Sequence, residues 1–121
     1  MKRDARYVFG TRLREAREMK QLTQRSLGGT LGWGPLVAVN RMHRYENEKR
    51  LPRDLKTAEK LAESLGVPMA YLFATDEKLA KLMLSWESLD DATKDALCRV
   101  VAEKFPDAPC AVALRAAEDK G

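Results

Sequence analysis

At 121 residues, 45% hydrophobic and 33% charged, the chain suits one small domain with a helical extension, and its apolar content supports a core. No apolar run approaches the roughly 20 residues of a membrane span. The start MKRDARYVFG also lacks the apolar stretch and cleavage site of a secretory signal, so no membrane is expected as a partner and the cytoplasm is the expected location.

The net charge of +4 is unevenly spread: residues 1–56 hold 14 Lys or Arg against 6 Asp or Glu, and residues 57–121 hold 8 against 12. A basic half suits a polyanion, although solvated helix faces would give the same count. Every periodic signal along the chain is helical. Phe9, Leu13, Ala16 and Met19 (or Lys20) recur at three- and four-residue spacing, which predicts a first helix over residues 5–20 with Asp4 as its N-cap. Thr23 caps a short second helix that carries Leu27 and Leu31 inward. Gly28 falls where two helices would cross most closely, a place where the missing side chain outweighs a helix cost of about 1 kcal/mol. Gly32, Gly34 and Pro35 then break the chain. Pro suits a first helical position, so a third helix is predicted from Pro35 or Leu36 to Tyr45 or Glu46.

The loop Asn47 to Arg53 follows, and Pro52 bars the helix from continuing. Asp54 caps a fourth helix with Leu55, Ala58, Leu61, Ala62 and Leu65 on its apolar face, ended by Gly66. Pro68 opens one further turn with Leu72 and Phe73 as core anchors. Asp76 caps a helix bearing Leu79, Leu82, Met83 and Trp86; Asp90 caps another bearing Ala96, Leu97, Val100, Val101 and Phe105. Pro106 and Pro109 interrupt, and the Ala-rich end reads as a frayed helix. No strand alternation or internal repeat is visible. The expected fold is all-α, with one domain over residues 1–74 and a helical extension over 75–121.

The stretch from Thr23 to Pro52 reads as two short helices joined by a turn and followed by a basic loop. A helix-turn-helix uses that layout to set its second helix in the DNA major groove. Arg44 and Asn40 are the leading base readers. Arg bonds bidentately to guanine and Asn to adenine, and residues four apart share one helix face. Arg41 and His43 flank them, toward bases or backbone, while Met42 and Tyr45 lie opposite and read as core. Trp33 in the long turn reads as a brace against the second helix. Lys2, Arg3 and Arg6 are either a DNA-touching arm or a disordered basic tail.

Cys98 and Cys110 form no CxxC pair, and His43 is the only histidine, so no metal site and no cofactor are expected. Cys98 reads as a small reduced core residue. No nucleophile–base pair, paired carboxylates or Gly-rich phosphate loop is visible, and no enzyme activity is expected.

In order along residues 9–73, the segments FGTRLREAREMKQLTQ, LGGTLG, RMHRYENEKRLP and TAEKLAESLGVPMAYLF resemble the lambda-repressor-like, or Xre-type, helix-turn-helix regulators of bacteria and phages. The resemblance implies a five-helix DNA-binding domain, used as a dimer on a near-palindromic operator. It gives Gln24 a phosphate contact at the start of the second helix. It implies backbone clamping by Asn47, Lys49, Arg50 and Arg53, and a structural ion pair between Arg17 and Glu46. Three departures stand out: four extra residues within WGPLVAVN, Gly28 in place of Ala, and Glu48 in place of Gly. With that Gly gone, Asn47 is the expected left-handed residue.

Trp86, Leu82, Met83, Leu97 and Val101 are more apolar side chains than so small a body buries with ease, and a homodimer interface would accept them. The alternative is an antitoxin-like interaction protein whose C-terminal helices hold a different protein. Both readings share the double-stranded DNA partner.

Overall fold

Short polar caps decide where most of these helices begin. The computed structural model describes residues 4–120, and all of its regular elements are helical. Helix α1 (Ala5–Met19) starts at Asp4, whose carboxylate accepts from the Arg6 amide at 2.9 Å. Helix α2 (Gln24–Thr30) opens on a reciprocal box in which Thr23 and Ser26 each accept the other's backbone N–H. Helix α3 (Pro35–Asn47) has no side-chain cap; Pro35 in its first turn has no N–H to satisfy. Helices α4 (Leu55–Leu65), α5 (Glu77–Trp86) and α6 (Asp91–Lys104) start under the carboxylates of Asp54, Asp76 and Asp90. A 3-10 turn (Met69–Phe73) separates α4 from α5. Pro109 starts α7 (Pro109–Lys120) rather than interrupting a helix.

The chain forms two compact units, one ending at Glu87 and the other beginning at Ser88. In the first, Phe9, Leu13, Leu27, Met42, Leu61, Leu65, Tyr71 and Leu72 are buried together. Phe9 sits edge-on to Tyr45 and 5.3 Å from the ring of Phe73. Two glycines bring α3 this close to its neighbours. A Cβ on Gly28 would collide with Ala38 of α3, and a Cβ on Gly10 with the Tyr45 carbonyl. Gly28 was marked as a crossing point by its place in the motif. Gly10 had no such signal.

The boundary expected at residue 74 moves to Glu87. Arg12, 1% exposed, donates from Nε to the Ala74 carbonyl at 2.9 Å and through its terminal nitrogens to Glu77 at 3.2 and 3.3 Å. Ala80 is fully buried, and Met83 and Leu84 pack against the same core. Helix α5 therefore completes this body, and Met83 serves the monomer. The predicted inward stripes are also too wide. Met19 is 62% exposed and Leu55 70%, each at a helix end beyond the packed turns, and Leu31 is half-buried. In the second unit α6 packs against α7, with Ala111 buried. No helix among the described residues is long and apolar enough to cross a membrane.

Candidate nucleic-acid interface

Helix α3 is half sunk and half bare. Ala38 and Met42 are fully buried, Tyr45 and Glu46 are half-buried, and Asn40, Arg41, His43 and Arg44 are all exposed. The four candidate readers thus sit on the side turned away from the core. The extra residues of the WGPLVAVN stretch lengthen the front of this helix instead of swelling the turn, since Pro35 already stands in its first turn.

A buried clamp fixes the helix's inner face. The Arg17 guanidinium donates Nε to Glu46 Oε2 at 2.8 Å and Nη2 to Oε1 at 3.0 Å, and Nη1 donates to the Leu22 carbonyl at 2.9 Å. The Glu46 side chain is 0% exposed and that of Arg17 13%. Hydrogen bonding to Glu46 raises the Arg17 pKa further, so the guanidinium stays charged. Gln24, in the first turn of α2, is half-buried and donates its amide to Glu46 Oε1 at 3.4 Å. Nothing in the sequence positions of Gln24 and Glu46 signals this second donor to the carboxylate.

Asn47 belongs to the last turn of α3, not to the loop. Its amide donates to the His43 carbonyl at 3.2 Å and lies 3.1 Å from His43 Nδ1. The left-handed residue is consequently Lys49 (φ 56°), not Asn47. With Asn47 drawn into the helix, the Glu48 amide still reaches the Arg44 carbonyl, and the reversal falls two residues later.

Arg41, Arg44, Arg50 and Arg53 line a cavity of about 420 Å³ with Trp33 and Tyr45 among its walls. Trp33 braces more than the second helix. Its amide donates to the Gly28 carbonyl at 3.1 Å, its ring lies 6.4 Å from that of Tyr45, and the Arg41 guanidinium covers it at 4.8 Å. Burial pushes the Tyr45 phenol pKa up. Asp54, also in the wall, has its pKa lowered by the Thr57 hydroxyl and amide that it accepts from. Arg6 is exposed, whereas Lys2 and Arg3 lie outside the described residues. Residues 24–45 contain no Asp or Glu. Such a surface attracts phosphate through Coulomb forces and offers Arg and Asn groups for base edges.

Comparison with known proteins adds relatives to this geometry. No protein-family model matches the chain. It is 34% identical over 95 residues to the cryptic phage CTXphi transcriptional repressor RstR of Vibrio cholerae, covering 74% of this chain and 81% of that one. Among solved structures it is similar to the transcriptional regulator BswR, at 39% identity and a TM-score of 0.72, covering 78% of this chain and 92% of the other.

Proposed function

The chain belongs to the lambda-repressor-like, Xre-type helix-turn-helix transcriptional regulators, and from that premise we propose that it is a cytoplasmic repressor that reads a near-palindromic operator through α3 as a homodimer. The bare outward face of α3 carries this reading. Asn40, Arg41, His43 and Arg44 stand exposed on a helix whose other side is locked by Ala38, Met42 and the Arg17–Glu46 clamp. A rigid helix presenting Arg and Asn four residues apart suits purine edges in the major groove. Gln24, Asn47, Lys49, Arg50 and Arg53 supply the phosphate contacts in this reading, with the loop residues attracting the backbone whatever its sequence.

Exposed apolar side chains support the homodimer. Leu79 and Leu82 on α5, and Leu97, Val100 and Val101 on α6, all remain exposed. A homodimer on a two-fold operator holds its recognition helices about 34–36 Å apart, one turn of DNA. Trp86 is half-buried.

Selection of bound sequences from a random duplex pool tests the assignment. One preferred site should emerge, and Arg44→Ala should lose about 1–3 kcal/mol on it while relaxing one base preference. Equal losses on selected and random DNA would reject base reading by Arg44. Sedimentation of the full chain at micromolar concentration tests the assembly. A strict monomer overturns the homodimer and leaves the C-terminal helices to a different protein.

A further inference from the structure

Large apolar side chains crowd the exposed first half of α3. Leu36 is 74% exposed, Val37 42% and Val39 40%, while Ala38 between them is fully buried. Three- and four-residue rows put Leu36 in line with Asn40 and His43, and Val37 in line with Asn40 and Arg44. Leu36 and Val37 therefore share the face of the candidate base readers, and Val39 lies toward its edge. Single exposed apolar residues are common on protein surfaces, but a cluster at a functional helix end is not.

The surroundings of this patch select its occupant. The same helix carries Arg41 and Arg44, the preceding helix carries Arg25, and no acid falls between residues 24 and 45. An apolar protein surface seated here would leave those cations without counter-charge. Duplex DNA supplies both chemistries at once, with phosphates along the groove edges and the thymine 5-methyl as the apolar group on the major-groove floor.

We propose that Leu36 and Val37 read thymine methyl groups, so that each half-site carries thymine beside the bases met by Asn40 and Arg44. The proposal rests on the DNA-reading role of α3 and adds the base class that its first half selects. At a rise of 1.5 Å per residue, Val37 and Arg44 stand about 10.5 Å apart along the helix. With base pairs about 3.4 Å apart, the recognised thymine falls within about three base pairs of the base read by Arg44.

Deoxyuridine removes only the 5-methyl group of thymine and leaves base pairing intact, which makes it the probe. Thymines of the selected duplex are replaced one at a time, and the affinity of the full-length protein is measured for each. Replacement at one or two positions should weaken binding about fourfold per methyl, the factor equivalent to ~0.8 kcal/mol for a buried carbon. That sensitivity should vanish in the Leu36→Ala/Val37→Ala variant, whose fold is checked by its circular-dichroism melt. If every replacement leaves wild-type affinity unchanged while the selected site still beats random DNA, methyl reading is overturned and DNA reading survives. Methyl sensitivity that persists in the double variant overturns it equally, and a change of sedimenting mass in that variant would then assign the patch to a protein contact. Failure to select any sequence removes the DNA-reading role and this proposal together.

Discussion

Arg17 on α1 and Glu46 on α3 lie 29 residues apart in sequence, and their pairing decides how firmly α3 is held. Both oxygens of the fully buried carboxylate receive guanidinium nitrogens. Such a pair adds little net stability over well-packed apolar groups, but removing one partner leaves a charge without water. Arg17→Met is therefore expected to cost about 3–5 kcal/mol in urea unfolding. Arg17→Lys should fall between the two, because an ammonium cannot reproduce the two-pronged geometry. A wild-type midpoint in Arg17→Met would show that the clamp holds nothing. This pair was legible only through the family resemblance, since helical periodicity says nothing about contacts between distant segments.

At the scale of elements, the loop after α3 is the place where charge acts without geometry. Lys49, Arg50 and Arg53 are exposed there, and Arg50 and Arg53 share their cavity with Arg41 and Arg44. Neutralising the three should weaken binding to all duplexes alike and flatten the log–log salt dependence by about one unit of slope per lost contact. An unchanged slope would move the loop away from DNA. Helix starts were legible because Asp4, Thr23, Asp54, Asp76 and Asp90 advertise caps in their own side chains. Helix ends were less so. The turn after α3 reverses at Lys49, a residue type with no left-handed preference, because backbone pairing to Arg44 decided it over local propensity. Leu36 and Val37 were equally opaque, since an apolar helical residue gives no sign in sequence of whether anything covers it.

For the whole molecule, the two compact units meet at residues 87 and 88, which offers a cleaner cut than the composition change near Ala74. A chain ending at Glu87 keeps Glu77 and the buried Ala80, and should unfold cooperatively with a midpoint close to that of the full chain. Ending at Ala74 instead removes the carboxylate from a buried guanidinium, a loss of about 1.5–3 kcal/mol from the charged hydrogen bonds alone. If α6 contributes to self-association, the Glu87 truncation should also sediment as a monomer and bind a two-half-site duplex more weakly, through the lost linkage of the second contact. A truncation that still sediments as a dimer would leave α5 as the sole apolar contact between copies.

Because Arg12 grips both the Ala74 carbonyl and Glu77, α5 is fixed to the DNA-facing body as a strut and not as a tether. A two-fold assembly built on that strut inherits a fixed helical phase between its two heads. One base pair inserted between half-sites turns the second by about 34–36° around the duplex, given 10–10.5 base pairs per turn. Stiff arms cannot follow that rotation, so a single insertion should abolish cooperative binding, and an insertion of one full turn should fail as well because the span is too long. Arg12→Ala, by loosening the strut, should make the protein more tolerant of the one-base-pair insertion even as it weakens the original site. Quantitative footprinting on a spacer series would reveal that exchange of affinity for phase tolerance.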